Sequence, residues 1–133
     1  MKKTNEVSKL VGVSRRTLQY YNDEGVLWVE RSQNNHRMYD QKALEGIWQI
    51  LIYKEMGFEL REIKQLMEAS DKEKNDYFEQ KKAEIKNQIM NLKGQMNVIS
   101  LVQKYGMPLS PTEKEGVTYV DSIVELRKKW KEY

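Results

Sequence analysis

The sequence predicts a mainly α protein: a helix-turn-helix unit with a small β-hairpin wing, then one long helix and a short amphipathic tail helix. Three observations predict it. The segment Val11–Leu27, VGVSRRTLQYYNDEGVL, places a glycine turn, a serine cap, two arginines and paired tyrosines within seventeen residues. The stretch LWVERSQNNHRMY that follows has two strand-like runs around a cluster of turn formers. From Asp71 to Tyr105 there is no proline and a single glycine, Gly94, while apolar residues recur at alternating steps of four and three.

A chain of 133 residues holds one ordinary domain, or a small domain with a helical extension. With 39% hydrophobic and 32% charged residues, it suits elongated helices better than one compact sphere. The net charge of +3 is too mild to define a partner, but it is unevenly spread. Residues 1–39 carry seven Lys/Arg against four Asp/Glu, and residues 40–70 carry four against six. Residues 71–105 carry seven against five, and residues 106–133 five against five. The excess over the N-terminal motif is what a DNA-facing surface requires.

Several classes are disfavoured. There is no cysteine and one histidine, His36, so disulfides, thiolate metal sites and iron–sulfur clusters are excluded and no metal or cofactor is expected. The opening MKKTNEV lacks the apolar run of a secretory signal, and no stretch approaches the length needed to cross a bilayer. The expectation is a cytoplasmic protein without a membrane partner. No nucleophile–base pair, carboxylate dyad or glycine-rich phosphate loop is present, so the chain does not read as an enzyme.

In chain order, the first helix is predicted over Asn5–Val11, capped by Thr4, with Val7, Leu10 and Val11 on one face. Gly12 allows the turn, and Ser14 caps the second helix by accepting an amide hydrogen bond from its first turn. Leu18 faces the first helix, and Gly25 stops the second with a left-handed residue. Leu27–Val29 and Arg37–Tyr39 are the strands of the wing, with Asn35 at a positive φ in its loop. Asp40 caps a third helix carrying Leu44, Ile47, Trp48, Leu51 and Ile52, which Gly57 ends. Leu60, Ile63, Leu66 and Met67 mark a fourth, with Glu59 as a weak cap and Glu62 at its N3 position. Ser70 with Glu73 is a capping box opening the long helix, about 50 Å in length. Its seam is Phe78, Ile85, Ile89, Leu92, Met96 and Ile99, with Lys82 filling one position. A single helix cannot bury such a stripe, so a partner helix is implied. Gly106 and Pro108 end it. Ser110, Pro111 and Glu113 read as the start of the tail helix, whose stripe is Tyr119, Ile123, Leu126, Trp130 and Tyr133.

A helix starting after Ser14 presents Arg15, Arg16, Thr17, Gln19 and Tyr20 near its N-terminal end, where groove edges and phosphates are met. Tyr21 joins them in the paired-tyrosine reading, with a core position on the Leu18 face as its alternative. Arg31, His36, Arg37 and Tyr39 belong to the wing. His36 reads as a surface hydrogen-bonding group, since no second His or Cys accompanies it. Tyr105, Met107, Tyr119 and Trp130 are the candidate lining of an apolar cleft for a small lipophilic effector, because methionine and flat aromatic rings suit such ligands.

The order TNEVSKLVGVSRRTLQYYNDEGVL, then QNNHRMY, then LEGIWQILIYKEMGFELREIKQLM resembles the N-terminal DNA-binding domain of the MerR family of bacterial transcription regulators. It covers about residues 4 to 68, and the long heptad helix resembles the family's dimerisation helix. The resemblance implies a DNA-binding domain over 1–70, a coiled-coil dimerisation helix over 71–105 and a tail region over 106–133. It implies a homodimer joined by an antiparallel coiled coil and bound to a pseudo-palindromic promoter. Activators of the family bend and untwist an overlong promoter spacer, and so reach RNA polymerase indirectly through the DNA. Arg16 stands where the family contacts bases or phosphates, Tyr20 and Tyr21 match its paired aromatics, and Arg31, His36 and Arg37 match wing positions that touch the backbone. The chain departs from the family at Gln19, usually Arg, which removes one cation per subunit. It departs again at Asn35 and His36, usually Gly and Tyr, and at Trp28 and Val29, where a Pro is frequent. The alternative is an architectural or excisionase-like winged-helix module without an effector, which the long seam and the capped tail disfavour.

Overall fold

The computed structural model describes residues 1–129. The element order is β1 (Lys2–Lys3), α1 (Thr4–Val11), α2 (Arg15–Asp23), β2 (Glu30–Arg31), β3 (Arg37–Tyr39), α3 (Gln41–Glu55), α4 (Leu60–Glu68), α5 (Asp71–Tyr105) and α6 (Tyr119–Lys129). The chain divides into two compact units, Met1–Phe78 and the residues from Glu79 onward. The fold class is mainly helical with a small wing sheet, as the periodicities predict.

In the first unit, Ser14 starts α2 as expected: its hydroxyl accepts the Thr17 amide at 3.1 Å and donates to Thr17 Oγ1 at 2.9 Å. Asp40 accepts the Ala43 amide at 2.8 Å and starts α3. The start of α1 differs from expectation. Thr4 lies inside the helix, and the extended residue before it is Lys3, whose amide is accepted by Glu6 Oε1 at 3.2 Å. A carboxylate reaching back from the first turn thus replaces the threonine cap. Glu59 is held in the same way by Glu62, at 3.0 Å.

The wing is a three-stranded antiparallel sheet ordered β1-β3-β2, with Lys2 opposite Tyr39, Lys3 opposite Met38 and Glu30 also opposite Met38. The first strand was not anticipated, and the predicted Leu27–Val29 strand is displaced to Glu30–Arg31. Leu27 and Val29 are buried instead. Asn35 has φ 62 at the wing tip, as its turn role predicts. The loop closes through Ser32 N to His36 O and Asn35 N to Ser32 O, both 2.9 Å.

The core gathers Val7, Leu18, Tyr21, Leu27, Val29, Tyr39, Ile47, Ile50, Ile63 and Leu66 from every helix and the wing of this unit. On α3 the buried side is Ala43, Ile47, Ile50 and Tyr53, whereas Trp48 is 62% exposed and Ile52 also faces outward. Periodicity found the helix but did not identify which of its overlapping apolar stripes is buried. Phe78 is a correction to the predicted seam. It packs on the core, its ring centroid 6.2 Å from Tyr53 and 6.3 Å from Phe58. Gly46 is where the backbone of α3 meets Leu27: a Cβ there would lie 2.9 Å from Leu27 Cδ1.

α5 begins on the expected capping box, with Glu73 N donating to Ser70 Oγ and Ser70 N to Glu73 Oε1, both 3.2 Å. In the second unit Ile85, Ile89, Leu92, Met96 and Ile99 are exposed along α5. The tail helix starts later than its sequence signals suggest. Ser110, Pro111 and Glu113 lie outside any helix, and α6 is opened by a box between Thr118 and Asp121 at 2.9 and 3.0 Å. Before it, Lys114 and Val117 form an isolated antiparallel bridge around Gly116. α6 meets α5 at Arg127, whose Nη2 donates to Asn91 O at 2.8 Å, and its guanidinium packs over Gly94, where a Cβ would lie 2.6 Å from Nε. Trp130 and Tyr133, predicted on the tail stripe, lie outside the described residues.

Candidate nucleic-acid interface

Helical geometry divides α2 into faces. Leu18 and Tyr21 point into the core, Arg15 and Gln19 form one outward stripe, and Arg16 and Tyr20 form the next. Tyr21, one of the predicted DNA contacts, is 2% exposed, and burial pushes its phenol pKa up. Tyr39 is likewise corrected from a wing contact to a core residue. It is 1% exposed, and its hydroxyl is buried without a hydrogen-bond partner among the described residues.

The outward stripe meets the wing at one place. A recess of about 210 Å³ is lined by Arg15 and Gln19 from α2, His36 and Arg37 from the wing, and Lys3, Thr4 and Asn5 from the β1–α1 junction. Four residues singled out from sequence therefore converge although they lie up to 22 positions apart. Lys3, Thr4 and Asn5 were not foreseen. Their only sequence signal is the Lys2–Lys3 pair ahead of the first helix, and its position depends on pairing with Met38 and Tyr39, far along the chain.

Two of the predicted cations are tied into the fold. Arg37 Nε donates to Asn22 Oδ1 and its Nη2 to Asp23 Oδ1, both at 3.1 Å, and its side chain is 16% exposed. Asn22 in turn donates to Leu27 O at 2.9 Å. Arg37 thus fixes the wing to the C-terminal turn of α2 while one side of it lines the recess. Arg31 Nη1 donates to Asn35 O at 2.9 Å and braces the wing tip. Arg16 is exposed, and Thr17 is half-buried in its cap role. Tyr20 lines a separate groove of about 530 Å³ between α2 and α4, with Arg61, Lys64, Gln65 and Glu68 on its wall.

The apolar tail cleft is not assembled by the described residues. Tyr105, Met107 and Tyr119 are each well exposed, and a cavity wall would be covered; Trp130 lies outside the description. No group of three or more His, Cys, Asp or Glu side chains is placed to hold a metal among the described residues. No helix among them is long and apolar enough to cross a membrane.

Comparison with known proteins places the first unit among helix-turn-helix regulators. A family model described as MerR HTH family regulatory protein matches residues 3–70, just over half of the chain. The nodulation protein NolA of Bradyrhizobium elkanii is 39% identical over 66 residues, covering 49% of this chain and 30% of NolA. The chain therefore matches less than a third of that relative's length. Among solved structures, the N-terminal part of the Bacillus subtilis multidrug transporter activator, MtaN, is 25% identical with a TM-score of 0.71, covering 77% of this chain and 98% of that chain. HiNmlR, described as a MerR family regulator lacking the sensor domain and bound to promoter DNA, is 26% identical with a TM-score of 0.54, covering 77% of this chain and 86% of that chain. The turn, the capped second helix, the wing and the matched span lead to one conclusion: the chain belongs to the MerR family of helix-turn-helix regulatory proteins.

Proposed function

We propose that the protein is a transcription regulator that binds a pseudo-palindromic promoter as a homodimer. The carrying observation is the convergence of Arg15, Gln19, His36 and Arg37 on one recess between recognition helix and wing. Arg16 on the adjacent stripe reads base edges or phosphates, and Thr17 and Tyr20 flank it. The exposed seam Ile85, Ile89, Leu92, Met96 and Ile99 is the dimerisation surface, pairing with a second copy in an antiparallel coiled coil. Two copies then present two recognition helices to half-sites related by two-fold symmetry. This seam favours a dimeric regulator over a stand-alone architectural module. HiNmlR supports the DNA reading, since that relative is bound to promoter DNA.

Regulation acts through the DNA: contacts on both half-sites offset the energy of bending and untwisting the intervening segment, and RNA polymerase responds to the altered promoter. The signal is read without thiolate chemistry, because the chain has no cysteine.

Sedimentation and footprinting on the chain's own promoter test this reading together. The expected result is a dimer at micromolar concentration that protects a two-fold-related site. A strictly monomeric protein, or one that protects no site, overturns it.

A further inference from the structure

The recess carries more charge than the recognition helix and wing bring to it. Lys3 enters from β1, which is fixed to the wing by its pairing with Met38. With Arg15 and Arg37 it makes three cations around one opening, joined by the imidazole of His36 and the polar side chains of Thr4, Asn5 and Gln19. No carboxylate is among these lining residues. Neither Lys3 nor Arg15 has an ion-pair partner among the described residues. Asp23 balances Arg37, but Lys3 and Arg15 meet no carboxylate in the lining, and holding these two cations beside one opening becomes favourable when an anion enters.

The size and lining narrow the anion. The opening, about 210 Å³, is small, polar and accessible from solvent. Donor-bearing side chains line it from two segments, Arg15 and Gln19 of α2 and Lys3 and Asn5 of the β1–α1 junction. Such a set matches a tetrahedral oxyanion. A planar apolar ligand finds little here.

We infer that this recess seats a single phosphate of the DNA backbone and that Lys3 is a DNA-contact residue at it. The inference rests on the DNA-binding reading above and deepens it: the N-terminal strand becomes a third contact segment beside the recognition helix and the wing. Such a contact fixes register on the duplex and contributes equally on every sequence.

The test is a titration of labelled promoter and unrelated duplexes with the full chain, as wild type, Lys3→Ala and Lys3→Arg, across a series of salt concentrations. The side chain of Lys3 is exposed, and its pairing uses the backbone, so the variants keep the fold; unchanged melting temperatures verify this. In Lys3→Ala the slope of log affinity against log salt is expected to fall by about 0.9 per bound chain. Affinity is expected to fall several-fold on both duplexes, with Lys3→Arg close to wild type. If wild type binds the promoter and Lys3→Ala keeps the same slope and affinity, the phosphate seat is overturned while the DNA reading stands. If wild type binds neither duplex, the DNA reading itself fails and takes the seat with it. A parallel titration with inorganic phosphate separates the two sources of this anion. Saturable amide shifts at Thr4, Asn5 and His36, with DNA affinity indifferent to Lys3, assign the recess to a free oxyanion and overturn the backbone contact.

Discussion

Replacing Arg37 with alanine is expected to destabilise the first unit by about 1.5 kcal/mol, because the guanidinium clamps the wing to the end of α2. Its two hydrogen bonds, to Asn22 and Asp23, are both 3.1 Å long. The Asp23 carboxylate is 66% exposed, so that ion pair is screened and contributes about 0.5 kcal/mol. The bond to Asn22 is partly buried and contributes about 1 kcal/mol. Together they correspond to a fall in melting temperature of about 6 °C for a chain of this size. The assay is thermal unfolding followed by circular dichroism, on Arg37→Ala, Asn22→Ala and the double variant. Asn22 also holds Leu27 O, so its single variant carries an extra cost that the cycle subtracts. A coupling of about 1 kcal/mol between the two positions is expected. Arg37→Lys keeps the charge but loses the fork, and is expected to recover little of the stability. An unchanged melting temperature with no coupling, alongside lost DNA affinity, would refute the clamp and return Arg37 to a plain phosphate contact.

Three further outcomes follow from the packing. Phe78→Ala is expected to cost about 2 kcal/mol of stability by opening the cluster with Tyr53 and Phe58, whereas Leu92→Ala weakens self-association; sedimentation of the two variants checks the contrast, and a Phe78→Ala chain that is stable but monomeric contradicts it. Tyr39→Phe removes a buried hydroxyl that has no partner among the described residues, so it is expected to be neutral or to raise stability by up to about 1 kcal/mol in denaturant unfolding; a clear loss would mean that the hydroxyl is satisfied. Hydrogen bonds from the Ser70 hydroxyl and backbone hold Glu73 below its ordinary pKa, and those from the Thr118 backbone and hydroxyl do the same for Asp121. A lowered folded pKa means stabilisation that is complete above the unfolded carboxylate range and lost as pH falls through the folded values. Amide protection at the first turns of α5 and α6, referenced to the intrinsic exchange rate at each pH, is therefore expected to fall on acidification, and Glu73→Gln to flatten the change at α5 alone.

Local chemistry was legible wherever the determining groups are neighbours in sequence. Ser14, Asp40 and the Ser70–Glu73 pair each satisfy amides three residues away, so the starts of α2, α3 and α5 could be read directly. The left-handed turn at Asn35 belongs to the same kind. The order of these signals also fixed the family and the long helix. Tertiary packing decided what depends on distant partners. Tyr21 and Tyr39 carry polar tips like those of surface tyrosines, and only the surrounding core shows that both are buried. Phe78 continues the heptad spacing, yet Tyr53 and Phe58 draw it out of the seam and into the first unit. The tail helix passes over Pro111 and starts at Tyr119, because Thr118 and Asp121 form the reciprocal cap there. Beyond the Lys2–Lys3 pair, nothing local marks Lys3 for the recess. A two-residue strand has no periodicity to detect, and its place in the recess comes from a ladder with residues 38 and 39. Sequence alone determined which helices form and what caps them, since those energies are local. The composition of the recess was decided by chain pairing across the wing, a long-range contact that no window of sequence contains.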